Sequence, residues 1–212
     1  MNVQEIQRCD LTELDKLCYF GNKLSIKSFD FWQKRDRNEI SYFMYIHGIY
    51  VLPTLELIEW LKENIVGNAI EIGAGHGAIA RELKIPITDS KMQEDEAVKT
   101  LYKIMGNQIP IYYNDDVEKL NAQEAIDKYN PQTVIGCYIT HKWQEGMING
   151  NYWGVEEEKL IQRVKRYINI GNLDTHAEKP ILKLSHKEFY FNWLITRSAN
   201  QKKNRIFVFD SN

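Results

Sequence analysis

The chain has 212 residues, 43% hydrophobic and 26% charged, with a formal net charge of -2. That length suits one decorated domain with a sizeable core, and the mild acidity disfavours a protein held on nucleic acid by phosphate contacts. The three cysteines, Cys9, Cys18 and Cys137, are odd in number and share no CxxC spacing, which disfavours a disulfide framework or structural zinc and points to reduced thiols in the cytoplasm.

No stretch approaches the ~20 apolar residues of a membrane span, and Met1 to Asp10 lacks the apolar run of a signal peptide. Residues 1–27 mix short apolar pairs with polar residues, which predicts helical or irregular lead-in structure. Phe29 to His47 is rich in aromatics. The basic residues Lys23, Lys27, Lys34, Arg35 and Arg37 are interleaved with aromatics, which admits an anionic-ligand patch, but Asp30, Asp36 and Glu39 dilute it, the pattern of a solvated helix face. A helix is expected from Leu52-Pro53-Thr54, with Pro53 near its first turn and Leu55, Ile58, Trp60 and Leu61 on one face.

Ala69 to Ile72 is a predicted strand that runs into a glycine cluster. Ala78 to Leu83 is the next helix, Ile85 to Asp89 a second strand, and Gln93 to Met105 a helix. Ile109 to Tyr113 is a third predicted strand, Ala122 to Tyr129 a helix, and Thr133 to Tyr138 a fourth strand. Val155 to Val164 reads as helical and Tyr167 to Ile170 as a fifth strand. This alternation predicts an α/β fold with a mostly parallel sheet. Phe191 to Thr196 and Arg205 to Phe209, parted by polar Asn200 to Asn204, predict an antiparallel hairpin at its edge. The expected division is an N-terminal extension, residues 1–52, and a sheet domain, residues 53–212.

Gly73, Gly75 and Gly77 stand where a strand becomes a helix. Glycine there permits a tight turn and close approach of a ligand to the main chain. Gly73-x-Gly75-x-x-Ala78 satisfies a dinucleotide pattern, which expects an acid about 20 positions on. Asp89 ends the second strand but comes early. A nicotinamide dinucleotide is therefore one candidate ligand.

Glu71-Ile72-Gly73-Ala74-Gly75-His76-Gly77, followed by Asp89 and the run Tyr113-Asn114-Asp115-Asp116-Val117-Glu118-Lys119-Leu120, resembles the class I S-adenosylmethionine (SAM) dependent methyltransferases. The resemblance covers residues 50–140 and implies a Rossmann-like methyltransferase sheet. It implies that Glu71, Gly73, Ala74, Gly75 and Gly77 wrap the amino-acid part of SAM and that Asp89 binds the ribose hydroxyls. It further implies that Asp116, or its rival Asp115, bonds the adenine amino group while Val117 offers its N–H to the ring. Carboxylates suit both tasks, because hydroxyl and amino groups are donors.

The same resemblance puts methyl transfer just beyond the fourth strand, at Cys137-Tyr138-Ile139-Thr140-His141-Lys142-Trp143. The Asn/Asp-Pro-Pro-aromatic box of amino-methylating members is missing there, which disfavours DNA or protein glutamine as acceptor. His141 is the candidate general base. Tyr138 and Trp143 are candidate walls around the sulfonium. Cys137 is expected to border the cofactor, as a small hydrophobe more than a nucleophile. Asp174 and His176, after the fifth strand, either line the substrate pocket or form an Asx-type turn. Tyr42, Tyr45 and His47 are candidate lid contacts. The expected function is methyl transfer to an oxygen or nitrogen of a small molecule, without metal or membrane, by a monomer or homodimer. A nucleic-acid or protein target, a non-catalytic SAM-binding module and a nicotinamide enzyme remain as rivals.

Overall fold

The computed structural model describes residues 6–104, 113–139, 155–198 and 200–211. The N-terminal extension begins with α1 (Thr12–Cys18) and a small antiparallel hairpin, β1 (Tyr19–Phe20) and β2 (Lys23–Leu24). Helices α2 (Phe29–Gln33) and α3 (Arg37–Ile46) follow. Their starts are set by side-chain caps: Ser28 accepts from the Phe31 N–H, and Asp36 accepts from those of Asn38 and Glu39. The aromatic run is explained by packing. Trp32 and Phe43 are buried with ring centroids 5.6 Å apart, among Leu14, Met44 and Leu52. That cluster includes Ala78, so the extension is packed onto the rest of the chain.

The sheet domain opens with α4 (Leu55–Asn64). Thr54 is its cap, accepting from the Leu57 N–H, so Pro53 precedes the helix and does not sit in its first turn. Then come β3 (Ala69–Ile72), α5 (Ala78–Leu83), β4 (Thr88–Asp89), α6 (Glu96–Ile104), β5 (Glu118–Lys119), α7 (Ala122–Tyr129), β6 (Thr133–Cys137), α8 (Glu157–Ile161), β7 (Arg166–Asn172), α9 (Leu173–His176), β8 (Lys187–Phe189) and β9 (Asn204–Asp210).

A five-stranded sheet has the order β3-β6-β7-β9-β8, parallel from β3 to β7 and antiparallel at β9 and β8. The parallel pair β4-β5 attaches beside β3 through a bridge between Glu71 and Ile87 and the Ala74 N–H bond to the Thr88 carbonyl, 3.0 Å. Among the described residues the order is therefore β5-β4-β3-β6-β7-β9-β8. It is a Rossmann-like α/β sheet, mostly parallel with an antiparallel C-terminal edge. The chain builds outward from β3 to β5, then returns to β6 on the other side. The β3–β6 boundary is thus the topological switch point, where open α/β sheets bind ligands at the strand carboxyl ends.

Alternation along the central strands fills both faces. Tyr167, Phe207 and Phe209 pack on one side with Ile126 and Leu160. Ile168, Ile170, Ile206 and Val208 pack on the other with Leu57, Ile58 and Leu61. One polar cluster is buried within this core. The Glu157 carboxylate accepts from Lys179 Nζ at 2.9 Å, the Tyr167 hydroxyl at 2.9 Å and Asn169 Nδ2 at 3.3 Å.

One predicted strand falls almost wholly outside the described residues, and one is corrected. Of Ile109 to Tyr113, residues 109–112 lie outside the described residues and Tyr113 is not in a strand. The strand that pairs with β4 is β5, where the Glu118 N–H reaches the Ile87 carbonyl at 2.8 Å and the Leu120 N–H reaches that of Asp89 at 3.0 Å. Charged Glu118 and Lys119 suit an exposed sheet edge and hid the strand from a hydrophobicity pattern. At the C-terminus the outer strand is β8, and Phe191 to Thr196 is turn-rich. Its aromatics stack outside the ladder: Phe191 lies on Trp193 at 4.3 Å, and Trp60 of α4 meets Phe191 edge-on at 6.0 Å. Among the described residues no helix is long and apolar enough to cross a membrane.

Candidate functional site

The turn after β3 is built for glycine. Gly73, Gly75 and Gly77 have φ of +60°, +57° and +75°. A Cβ on Gly73 would stand 2.6 Å from Ile139 Cγ2, and one on Gly77 would stand 2.5 Å from Ile87 Cγ2. The turn's own N–H groups are largely engaged. Ala74 donates to Thr88, Gly75 donates to Asp89 Oδ2 at 2.9 Å, and Gly77 donates to the Ala74 carbonyl at 2.9 Å.

Two carboxyl groups sit beneath this turn. Glu71 Oε2 accepts from the Ala80 N–H at 2.9 Å, at the start of α5. Its burial pushes its pKa up to about 8, with the nearby Asp89 adding to the rise and the Ala80 bond opposing it. The Cys137 thiol is hydrogen-bonded to it, and burial, then the Glu71 charge, raises the thiol's pKa. Asp89 accepts from Gly75 and, at 2.7 Å, from the Lys91 N–H. Burial raises its pKa, and these bonds together with one to Tyr113 hold it down. His76 is kept neutral, because burial lowers its pKa to about 4.

The turn opens on a cavity of about 860 Å³ at the switch point, within the size range of small-molecule sites. Glu71, Gly73, Ala74, Gly75, Asp89, Cys137 and Tyr138 all line it. Gly77 lies behind it as the cap of α5.

The structure places the acidic run differently from expectation. Asp116 makes a two-pronged ion pair with Arg81, both contacts 2.7 Å, and a longer one with Lys23 at 3.8 Å. Arg81 holds its pKa below the usual range. Asp115 is exposed. The Val117 N–H bonds to the Asn114 carbonyl at 3.0 Å, and its side chain is buried against Gly77. None of the three lines the cavity. The reason is the corrected strand: the acidic run precedes β5, whereas the residues at its carboxyl end are Leu120, Asn121 and Ala122. Those do line the cavity, with Met92, Tyr113 and Ile126. Asn121 also caps α7 in a reciprocal capping box with Glu124. The Asn121-x-x-Glu124 spacing was a visible signal for that strand-to-helix junction.

Beside Cys137 the cavity is lined by the aromatic residues Tyr50 and Tyr138. Tyr138 has φ +52°, a left-handed conformation uncommon for an aromatic residue. Its hydroxyl donates to Thr196 Oγ1 at 3.2 Å, and burial raises its pKa well above the ordinary phenol value. Tyr50 lies 6.2 Å from its ring. His141 and Trp143 lie outside the described residues.

His176 does not line the cavity. It is buried behind Tyr138, its Nδ1 is bonded to the Asn172 main chain, and burial lowers its pKa to about 3. Asn172 accepts from the Asp174 N–H in the turn arrangement, while Asp174 itself reaches the cavity wall. Of the lid candidates, His47 pairs with Asp15 at 2.8 Å and Tyr42 packs in the N-terminal core. The part of the extension that lines the cavity is Gly48 to Val51. Among the described residues no group of three or more His, Cys, Asp or Glu is placed to hold a metal ion.

No protein-family model matches the chain, and no curated protein matches its sequence. Among solved structures it is similar to an rRNA methylase from Streptococcus thermophilus, at 12% identity and a TM-score of 0.41, over 72% of this chain and 93% of that one. It is also similar to precorrin-6y C5,15-methyltransferase from Geobacter metallireducens, at 12% identity and 0.35, over 74% and 88%. A third is magnesium protoporphyrin IX methyltransferase from Synechocystis PCC 6803 with bound SAM, at 11% identity and 0.35, over 97% and 98%. Likeness at this level carries nothing about the acceptor.

Proposed function

We propose that the chain is a SAM-dependent methyltransferase that acts on an oxygen or nitrogen of a small molecule. The observation that carries this is one cavity at the switch point. The glycine turn, Asp89 and Asn121–Ala122 meet it at the ends of β3, β4 and β5, and Tyr138 meets it after β6.

The residues fit the cofactor. Asp89 retains acceptor capacity for a ribose hydroxyl, since a carboxylate offers about four lone-pair sites and three are taken. Glu71 and Asp89 favour a ligand with positive charge. A pyrophosphate would instead face two carboxyl groups and find the N–H groups of Ala74, Gly75 and Gly77 already bonded. That weighs against a nicotinamide dinucleotide, whose phosphates seek free N–H groups at a helix start. Leu120, Asn121 and Ala122 would border the adenine.

When bound, SAM supplies an activated methyl group on a positively charged sulfur. The chain's own part is to place an acceptor against it. Tyr138 presents aromatic surface that attracts a cation, and Gly48 to Val51 line the same cavity. Positioning of this kind supplies a large share of the rate in bimolecular transfers. Methyl-labelled SAM, incubated with the full chain and a metabolite extract, tests the proposal. A labelled small-molecule product is expected. Binding of SAM with no labelled product would mark a SAM-binding module, and label in RNA or protein would mark a macromolecular target.

A further inference from the structure

The acceptor side of the cavity contains a cation that the proposed methyl transfer does not use. Residues 50–52 and 195–197 run side by side: Val51 bridges Thr196, the Leu52 N–H bonds to the Ile195 carbonyl at 2.9 Å, and the Arg197 N–H bonds to that of Tyr50 at 3.0 Å. This pairing brings Arg197 against the aromatic wall. Its guanidinium lies 4.6 Å from the Tyr50 ring centroid and 5.4 Å from that of Tyr45. Both are cation–π distances. Arg197 lines the cavity, as do Tyr50 and Tyr138.

Its ion-pairing is incomplete. Lys159, another cation on the wall, is paired with Glu156. Asp174, the acid on this side, is paired with Lys203. Among the described residues Arg197 has no carboxylate partner, and its buried Nη1 has no hydrogen-bond partner. A guanidinium stays charged at any physiological pH and presents a planar fork of donors. Buried donors of this kind are rarely left unpaired. The tyrosine rings hold the plane of the group, which pre-organises the fork for an incoming oxyanion.

We propose that Arg197 binds an oxyanion, a carboxylate or phosphate, on the molecule that occupies the cavity beside Tyr138. Calling that molecule the methyl acceptor rests on the function proposed above; the oxyanion site itself does not. The experiment is titration of the full chain, without and with SAM, by inorganic phosphate, benzoate and uncharged benzamide. Phosphate or benzoate is expected to bind, and benzamide is not. Binding of phosphate alone marks a phosphorylated ligand, and binding of benzoate alone marks a carboxylate.

Arg197→Gln is expected to weaken anion binding at least about tenfold, the worth of a charged hydrogen bond. Arg197→Lys, which keeps the charge without the fork, is expected to fall between, and the unfolding midpoint reports whether each variant folds. Equal binding by wild type and Arg197→Gln, no binding of either anion to wild type, or equal binding of benzamide and benzoate would overturn the proposal. If the anion binds through Arg197 while SAM does not bind, the methyltransferase proposal fails and the oxyanion site stands.

Discussion

The two ends of the cavity are built by different means. The end at the glycine turn is made by consecutive residues and main-chain geometry. Gly73 to Gly77, Asp89 and Asn121 each sit where a strand passes into a turn or helix. The end at Tyr138 is made by side chains from distant segments, with Tyr50 and Arg197 brought together by the pairing of residues 50–52 with 195–197. Main-chain sites of the first kind follow from local rules about glycine, strands and caps. Side-chain sites of the second kind exist only after the sheet has assembled. The glycine-turn end, which is locally coded, and the Tyr138 end, which is assembled, are therefore expected to respond differently to substitution.

The largest expected effect is structural and lies under the Tyr138 end. Lys179→Met leaves Glu157 buried without its cation, which costs about 3–5 kcal/mol. The unfolding midpoint should fall by about 6–20 °C for a domain of this size. The double variant Glu157→Leu with Lys179→Met should recover most of that loss, because neither charge is then left buried and unpaired. Thermal unfolding of the three proteins checks both statements.

Next in size is the glycine-turn end. Asp89→Ala removes charged hydrogen bonds of about 1.5–3 kcal/mol each. SAM affinity by calorimetry should drop about tenfold or more. Asp116→Asn breaks an ion pair with Arg81 outside the cavity and should leave SAM affinity within about twofold, as exposed pairs contribute about 0–1 kcal/mol. Equal losses for the two variants would restore Asp116 to the adenine site and remove the contrast.

Glu71 gives a pH test. Its folded pKa is raised to about 8 from an ordinary 4.5. The stability linked to its proton is fully present below 4.5 and is lost as pH rises through about 8. Glu71→Gln carries no such proton, so its stability curve should be flatter across that window. A cationic ligand favours the carboxylate, so wild-type SAM affinity should rise with pH over the same range and that of Glu71→Gln should not. The smallest effect is at Asn121. Asn121→Ala removes the cap of α7 and should cost about 1 kcal/mol of stability, read as a shift of about 2–4 °C.

The same contrast explains what was legible beforehand. The β3–turn–α5 unit, α7 and the buried central strands carry their own patterns, and Asp89 stands at a recognisable strand end. β5 was hidden because an edge strand of Glu118 and Lys119 has no hydrophobic alternation, so the sequence did not reveal that Asp115, Asp116 and Val117 precede that strand and lie off the cavity. The C-terminal hairpin was misplaced because Phe191 and Trp193 owe their character to stacking beside Trp60, which β-propensity does not distinguish from strand packing. Arg197 carried no local signal at all. Its place depends on a strand-like contact between residues near opposite ends of the chain.

The most direct measurement is calorimetric titration of the full chain with SAM, with NAD in parallel. One site for SAM with a micromolar dissociation constant, and no binding of NAD, is expected from a turn with two buried carboxyl groups and engaged N–H groups. Binding of NAD without SAM, or of neither, would contradict the assignment of the glycine turn.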